Sequence, residues 1–390
     1  MNHKKQNDPE FDRFLNSIRE RVEGAFNEVQ NTSRNLERLL AKTVVGLCTR
    51  VIAKMTSHIL KLVLRRLFDI DVQTFSTVAA WFLISHQPYW GTDSSNVSSG
   101  HGDRGLSIYR FLMAKARTVS KTVRVWKYLL AGRKPWTEGY RDYRYDFVRS
   151  VLRDRNLYEC FRQNQQLPEG YGARLDERVV EYPWVISRLV DDATHLLDAG
   201  STLNHPTLLE LPILRRKSIV IYTLVPEGVI SQANVSYLYG DLRQTILNNE
   251  VFEEIVCIST LEHIGMDNTV IYTSDRRYKE FRPLDYQDAL RELRRLLVPG
   301  GQLLLTVPYG RYQNRGWLQQ FDREMLEDTI RVFDGKLHDQ AFYRYTSGGW
   351  SLARAADCVD CKYYDIHARS GYDPDYAAAA RAVACIQLIR

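Results

Sequence analysis

Residues 289–310 read ALRELRRLLVPGGQLLLTVPYG and combine an amphipathic helix, a turn and an apolar run. Leucines recur at three- and four-residue steps within Tyr286–Leu297, which predicts a helix with one buried face. The Pro-Gly-Gly of residues 299–301 then predicts the end of the helix and a turn. The continuous apolar run Leu303–Val307 predicts a strand that is buried on both faces.

Apolar runs alternate with helical stretches on both sides of this unit. The other predicted strands are His195–Ala199, Ile219–Thr223, Val235–Tyr239, Ile255–Thr260, Tyr363–His367 and Val383–Ile389. The other predicted helices are Pro206–Leu214 and Leu242–Asn248. This alternation predicts an α/β fold with a doubly wound sheet of seven strands, mostly parallel, whose last strand is antiparallel. In such sheets ligands bind beyond the carboxyl ends of the central strands, so the loops there are the candidate site.

Four loops carry polar residues at those ends. The first reads HLLDAGSTLNHP, and its candidate residues are Asp198, Ala199, Gly200 and Ser201. The second offers Thr223 and Glu227, and the third offers Asp241, as the N-cap of the predicted helix, and Leu242. The fourth lies in FEEIVCISTLEHIGMDN, residues 252–268, and delivers Ser259, Thr260, Glu262 and His263. Because imidazole titrates near neutrality, we predict that His263 is a general base. The alternative is that His263 caps a helix or lines the pocket without transferring a proton.

The LEH segment and the helix–LVPGG–strand unit resemble those of class I S-adenosylmethionine-dependent methyltransferases, over residues 175–390. The resemblance implies a Rossmann-like methyltransferase sheet and S-adenosylmethionine as the cofactor. It also implies that the first loop holds the amino-acid end of the cofactor, that Asp241 binds the adenine amino group and that Leu242 packs on the ring. Two positions depart from the family pattern. Thr202 replaces the second glycine of the first loop, and Thr223 or Glu227 stands in for the acid that binds the ribose.

Two loops fall where this fold builds its acceptor pocket. Their candidate substrate residues are Asp267, Asn268, Tyr309, Arg311 and Trp317. Aromatic side chains mixed with amide, carboxyl and guanidinium groups suit a polyhydroxylated acceptor such as a sugar. Within this family, the motifs most resemble those of bacterial methyltransferases that are associated with glycosyltransferases in polysaccharide pathways. The resemblance therefore implies O-methylation of a saccharide or glycan precursor, with Glu262 orienting neighbouring groups or contacting the substrate.

Charge is unevenly spread along the chain. Residues 1–150 hold 25 Lys+Arg and 14 Asp+Glu, whereas the remainder holds 28 and 33. We predict a helical, basic N-terminal region over residues 1–135, connecting or cap helices over 136–192, and the methyltransferase domain over 193–390. Basic helices within 1–135 suit either an anionic membrane surface or packing in a bundle, or they contact a partner enzyme. A methyltransferase-like scaffold that docks in this way is the alternative to an enzyme.

Several other classes of protein are disfavoured. The polar N-terminal segment and the absence of a long apolar run predict neither a secretory signal nor a transmembrane helix, and hence a cytoplasmic protein, with docking at the inner face of the membrane as the variant. The lone pair Cys358 and Cys361 predicts two half-buried thiols before a strand rather than a zinc or redox site. A nucleic-acid substrate is disfavoured because the fourth strand lacks the Pro-Pro-aromatic segment of base-methylating enzymes. The oligomeric state is left open.

Overall fold

A computed structural model describes residues 121–365, 368 and 371–390. Residues 121–130, in the predicted basic N-terminal region, are helical and come before the three helices described next. The other predictions for the basic N-terminal region, including its membrane or partner contacts, lie outside the described residues. In the part of the chain that the structure covers, no helix combines the length and apolarity needed to cross a membrane.

Three helices precede the sheet and pack on one of its faces. They are α1 (Tyr140–Arg153), α2 (Arg155–Arg162) and α3 (Arg178–Ile186). Asp154 ends α1 and caps α2, because its carboxylate accepts hydrogen bonds from the backbone N–H groups of Asn156 and Leu157. Helix α3 is almost wholly buried and shares one hydrophobic core with residues of the strands. These helices are therefore part of the structural unit that carries the sheet.

The sheet has eight strands in the order β3-β2-β1-β4-β5-β10-β8-β9. In chain order the strands are β1 (His195–Ala199), β2 (Ser218–Thr223), β3 (Val235–Tyr239), β4 (Phe252–Ile258), β5 (Leu297–Pro308), the short pair β6 (Gln313–Asn314) and β7 (Gln319–Gln320), then β8 (Lys336–Thr346), β9 (Gly349–Ala353) and β10 (Ala382–Ile389). Strands β1 to β5 pair in parallel, and β10 is antiparallel to both β5 and β8. The predicted doubly wound sheet, with its antiparallel last strand, is confirmed. The strand order reverses between β1 and β4, which is where such folds bind ligands.

Helices cover both faces of this sheet. Beyond α3 they are α4 (Pro206–Leu209), α5 (Pro212–Arg215), α6 (Tyr286–Leu296), α7 (Arg323–Phe333) and α8 (Ala355–Cys358). Neighbouring strand residues enter different cores, because successive side chains point to opposite faces. Leu196 belongs to the core beneath α3, and Leu197 belongs to the core beneath α6 and α7. Burial on both faces explains why the strands read as continuous apolar runs.

The structure corrects several local predictions. Pro212 divides the predicted helix Pro206–Leu214 into two single turns, α4 and α5. Residues 242–248 form turns instead of a helix. Helix α6 ends at Leu296, so the Pro-Gly-Gly of residues 299–301 lies inside a distorted start of β5, where Gly300 has a positive φ of 80°.

The edge of the sheet also differs from the prediction. Residues 363–365 are not a strand, and residues 366–367 lie outside the described residues. The place beside β10 is taken by β8, and β9 continues the sheet as an antiparallel hairpin. Strand β8 was missed because its sequence, KLHDQAFYRYT, mixes charged and aromatic residues. Its first half is mostly exposed, so it lacks the apolar run that marks a buried strand.

A buried ion pair lies at the amino-terminal end of the parallel strands. Lys217 and Glu254 have side chains that are 0% exposed and form a salt bridge. Lys217 also donates hydrogen bonds to the carbonyl of Val190 (2.6 Å) and to Thr194 Oγ1 (2.8 Å). Glu254 accepts from Thr194 Oγ1 (2.6 Å), the Val190 N–H (2.8 Å) and Gln302 Nε2 (2.8 Å). We call these five residues the lysine cluster; both of its charges are fully partnered.

Candidate functional site

A cavity of about 1320 Å³ opens at the carboxyl ends of β1 to β4 and extends towards α1 and α3. Of the residues predicted for the site, those that line it are Gly200, Ser201, Thr223, Glu227, Asp241, Leu242, Ser259, Thr260, Glu262, His263, Asn268 and Trp317. The lining does not include Asp198, Ala199, Asp267, Tyr309 or Arg311. The fold thus brings most of the predicted residues from five separate loops to one space.

The side chain of Asp198 holds the backbone of the turn after β1. This carboxylate is buried and accepts hydrogen bonds from the backbone N–H groups of Thr202 (3.1 Å) and Leu203 (2.8 Å). Burial raises the pKa of Asp198 to about 7, although the hydrogen bonds from these N–H groups act in the opposite direction and lower it. Gly200 has φ +119°, and a Cβ there would lie 2.1 Å from Thr260 Oγ1, so only glycine fits. Asp198 holds the turn, and Gly200 and Ser201 face the cavity.

The loops after β2 and β3 form the next part of the wall. Thr223 ends β2 and Glu227 follows in an exposed loop, and both face the cavity. Asp241 follows β3, but no helix begins there. Instead its carboxylate accepts the N–H of Arg243 (2.9 Å) and forms an ion pair with the Arg243 guanidinium (2.5 Å). The predicted N-cap is therefore wrong, because a turn closed by Arg243 takes the place of the helix.

The end of β4 is tied to α3 by a buried carboxylate. Glu181 is 0% exposed and accepts hydrogen bonds from Ser259 Oγ (2.6 Å) and Thr306 Oγ1 (2.7 Å). Arg178, one turn earlier on α3, forms an ion pair with Glu181 at 2.5 Å. Ser259 has a positive φ of 40°, which is uncommon outside glycine and marks a sharp change of direction after β4. These contacts fix the loop that carries Glu262 and His263.

His263 is held as a neutral imidazole. Its Nδ1 lies 3.0 Å from the carbonyl oxygen of Trp317, and since a carbonyl only accepts, Nδ1 donates. Burial lowers the pKa of His263 to about 4. The ring stacks on Trp317, with centroids 5.4 Å apart and an interplanar angle of 23°. The lone pair therefore sits on Nε2, which is 3.9 Å from Glu262 Oε1.

Glu262 is buried in the cavity wall, and the protein satisfies its carboxyl group only in part. Glu262 is 3% exposed, and its Oε2 has no hydrogen-bond partner among the described residues. Burial is the main cause that raises its pKa well above the ordinary value, and the neighbouring Glu181 and Glu177 contribute. Ser201 Oγ is likewise buried without a partner within the described part of the chain. Buried polar atoms usually have a partner, and both of these residues line the cavity, where a ligand could supply one.

The predicted acceptor residues are only partly brought together. Asn268 and Trp317 line the cavity, although Asn268 Nδ2 already donates to the carbonyl of His263 (3.2 Å). Asp267 instead caps a single turn by accepting the N–H of Thr269. Tyr309 is buried against Phe342 in the core beneath α6 and α7. Arg311 is exposed and pairs with Asp360 at 3.3 Å. Asp267, Tyr309 and Arg311 thus lie in loops that follow the expected strands, but they are not part of the cavity lining.

Sequence reasoning missed a charged group on the helical side. Asp176, Glu177, Arg178 and Arg144 all line the cavity, and Arg144 forms an ion pair with Asp176 at 2.5 Å. Burial raises the pKa of Glu177, which accepts the N–H of Ala380 (3.1 Å). The only signal was the charged run Asp-Glu-Arg at residues 176–178, where α3 begins. On the same helix, Tyr182 also lines the cavity, whereas Trp184 packs in the core.

The cysteine pair lies away from this cavity. Cys358 and Cys361 are both buried, at 0% and 8% exposure, and irregular chain follows them instead of a strand. Within residues 121–365, 368 and 371–390, no cluster of three or more His, Cys, Asp or Glu side chains is arranged to hold a metal ion.

Comparison with known proteins gives likenesses of fold. A scan against protein-family models finds no match, and a search of the curated proteins finds none. The structure is similar to an S-adenosylmethionine dependent methyltransferase from Mesorhizobium loti (10% identity, TM-score 0.34, 54% of this chain and 97% of that chain). It is also similar to the 1,6-didemethyltoxoflavin-N1-methyltransferase of Burkholderia thailandensis (13%, 0.32, 63% and 86%) and to the cyclase SpnF (18%, 0.30, 52% and 76%). Such folds host more than one chemistry.

Proposed function

We propose that the chain is an S-adenosylmethionine-dependent methyltransferase that methylates a hydroxyl group of a saccharide or glycan precursor. The observation that carries this proposal is the cavity, in which a glycine turn, two further strand-end loops and a neutral imidazole face one space. The saccharide acceptor, and a place among bacterial polysaccharide enzymes, rest on the sequence resemblance and on the aromatic and amide groups of Trp317 and Asn268 in the wall.

The residues at the strand ends fit this cofactor. Gly200 lines the cavity in the turn after β1, and Ser201 Oγ is a buried hydroxyl without a partner in the described residues. Thr223 and Glu227 offer oxygens for the ribose, and Leu242 offers an apolar surface for the adenine ring. Asp241 would bind the adenine amino group with an oxygen that it shares with Arg243. When bound, S-adenosylmethionine supplies an electrophilic methyl group on a positively charged sulfur.

The protein's part in the reaction is to position two reactants and to accept one proton. Gly200, Ser201 and Asp241 would hold the cofactor, which would supply the methyl group that the acceptor oxygen receives. The acceptor proton passes to His263 Nε2, the ring nitrogen that carries the lone pair. Glu262 lies 3.9 Å away and, when ionised, stabilises the imidazolium that results.

Calorimetric binding of S-adenosylmethionine and S-adenosylhomocysteine to the full chain tests the cofactor assignment. We expect micromolar affinity in the wild type and a fall of about tenfold or more in Asp198→Ala and Asp241→Ala. The reason differs between them, because Asp198 holds the turn and Asp241 contacts the ligand. A matched control is Asp154→Ala, which removes the cap of α2, lies outside the cavity lining and should leave both affinities unchanged.

A methyltransferase-like scaffold without catalysis is the second candidate. It is favoured by the engagement of Asp241 with Arg243 and by Thr223 at the end of β2, where an acid is usual. In that case the basic N-terminal region would dock on a membrane or on a partner enzyme. A folded wild-type sample that binds neither compound at millimolar concentration would favour the scaffold and contradict the enzyme.

A further inference from the structure

The side of the cavity around Glu262 holds more carboxyl groups than basic groups. Arg178 is the cation that acts on both Glu177 and Glu262, and it is already paired with Glu181, as Arg144 is with Asp176. Glu177 and Glu262 form no ion pair with a lysine or arginine among the described residues. Two carboxyl groups are therefore left without a cation in one buried wall, and we call Glu177 and Glu262 the carboxyl pair.

Glu262 points to a ligand for a second and independent reason. Its Oε2 is buried and lacks a hydrogen-bond partner in the described part of the chain, and Glu262 is one of the residues that line the cavity. A buried carboxyl oxygen that no group of the protein satisfies is unfavourable unless a ligand supplies the partner. The lysine cluster shows the contrast, since Glu254 is equally buried and accepts bonds at both oxygens.

The surroundings of the carboxyl pair select a cation over an anion. Aromatic rings stand beside Glu262: His263 packs against Trp317 and Tyr272, each with centroids 5.4 Å away, and Trp317 meets Tyr363 at 6.1 Å. All four side chains line the cavity. Ring faces attract positive charge, and carboxylates repel negative charge. Arg178 and Arg144 are each held in an ion pair with a carboxylate and are not free to bind a phosphate or carboxylate group.

We propose that the carboxyl pair binds a positively charged group, with Glu262 in direct contact and Glu177 adding charge from α3. Two ligands of the proposed reaction supply such a group: the sulfonium of S-adenosylmethionine, or a protonated amine on the acceptor, which would make the acceptor an amino sugar. This inference rests on the proposed function. It goes further by assigning the charge of the ligand that Glu262 contacts.

The test is calorimetry on the full chain with the variants Glu262→Gln and Glu177→Gln. Both substitutions keep the shape of the side chain and remove its charge. Glu138→Gln is the matched control, because Glu138 also lines the cavity but is exposed and paired with Lys127. The ligands are S-adenosylmethionine, its neutral counterpart S-adenosylhomocysteine, and glucosamine and glucose added to the S-adenosylhomocysteine complex.

The two sources of the cation give different results. If the carboxyl pair binds the sulfonium, Glu262→Gln lowers the affinity for S-adenosylmethionine by about tenfold or more. The affinity for S-adenosylhomocysteine then changes by less than threefold. If the carboxyl pair binds an acceptor amine, the affinities for S-adenosylmethionine and S-adenosylhomocysteine stay unchanged. Glu262→Gln instead lowers the affinity for glucosamine by about tenfold and leaves the affinity for glucose unaffected. Glu177→Gln should act in the same direction with a smaller effect, and Glu138→Gln should change nothing.

A protonation readout separates binding from a structural role. The titratable and charged groups around Glu262 are Glu177, Arg178, Glu181, His263, Tyr272 and Tyr363. A cation that ionises Glu262 on binding releases a proton, so the binding enthalpy near neutral pH should depend on the ionisation enthalpy of the buffer. That dependence should shrink in Glu262→Gln.

Failure of the inference and failure of the proposed function are distinguishable. If the wild type binds both cofactor forms, but Glu262→Gln weakens charged and neutral ligands equally or weakens none, the inference is overturned and the proposed function stands. If the folded wild type binds neither cofactor form at millimolar concentration, both are overturned.

Discussion

Two buried charged clusters lie at opposite ends of the same parallel strands, and they are built differently. At the amino-terminal end, Lys217 and Glu254 neutralise each other, and backbone and side-chain partners satisfy both. At the carboxyl-terminal end, Glu177 and Glu262 lack a cation among the described residues, and Glu262 Oε2 lacks any hydrogen-bond partner there. Both clusters are buried, so burial alone does not distinguish them.

The difference separates a stabilising cluster from a binding one. A buried polar group that is fully partnered is tolerated and specifies the fold, whereas an unpartnered one lowers stability unless a ligand completes it. Only the carboxyl-terminal cluster opens into the cavity of about 1320 Å³. Proteins often keep such local instability where function requires it. The comparison therefore predicts opposite consequences for substitutions at the two ends.

The largest effect is expected at the lysine cluster. Lys217→Met should lower the free energy of unfolding by about 3–5 kcal/mol, because Glu254 would keep a buried charge without its cation. Urea unfolding followed by circular dichroism measures this. Arg216→Met is the matched control, since Arg216 pairs with Asp191 at the surface and should change stability by less than about 0.5 kcal/mol. Equal unfolding midpoints for the two variants would break the comparison.

The next effect is on catalysis at the other end. With any acceptor that the wild type methylates, His263→Ala should lower kcat by about a hundredfold or more, because Nε2 no longer accepts the proton. The affinity for S-adenosylhomocysteine should change by less than about threefold, and stability should fall less than in Lys217→Met. Release of S-adenosylhomocysteine measures the rate. An unchanged kcat would remove the assignment of His263 as general base.

A smaller effect of opposite sign is expected for the stability of Glu262→Gln. The folded-state pKa of Glu262 is raised, so the unfolded chain releases its proton above about pH 4.5 while the native protein retains it. Stability of the wild type is thus lost as pH rises, and glutamine cannot ionise. Without ligand, Glu262→Gln should be more stable by about 1–2 kcal/mol at pH 8 and nearly equal at pH 4.5. Unfolding midpoints at the two pH values test this, and a variant less stable at pH 8 would contradict it.

The smallest effect is an absence of change at His263. Because burial lowers its pKa to about 4, the imidazole should stay neutral from pH 8 down to about 5 and should carry its proton on Nδ1. Nitrogen-15 chemical shifts of labelled histidine report both the tautomer and the titration. A midpoint near 6.5, the ordinary value for histidine, would mean that the ring is solvated and not held against Trp317.

Much of the fold could be predicted because local patterns and global packing agree. Parallel strands buried on both faces produce unbroken apolar runs, so β1 to β5 and β10 were found from the sequence. Strand β8 was missed because its exposed first half gives no such run. The helix expected after Asp241 is absent because the side chain of Arg243 closes a turn there, an interaction that periodicity does not report.

The site was predicted to the level of its loops but not of its side chains. Strand ends meet at one edge of a parallel sheet, so the sequence by itself placed Gly200, Asp241 and His263 near one another. Which side chains enter the cavity depends on loop directions, and Tyr309 and Arg311 turn away from it.

Local patterns were enough to predict the strands and the edge of the sheet where the loops converge, because hydrophobic periodicity is a local property of the chain. The electrostatics of the site, in contrast, depend on contacts between distant parts of the chain. Helix α3 brings Glu177, Arg178 and Glu181 beside a loop that is about eighty residues later in the chain, as the bond from Ser259 to Glu181 shows. Pairing of charges is set by distances across the fold, so the unpartnered oxygen of Glu262 becomes visible only when the chain is folded.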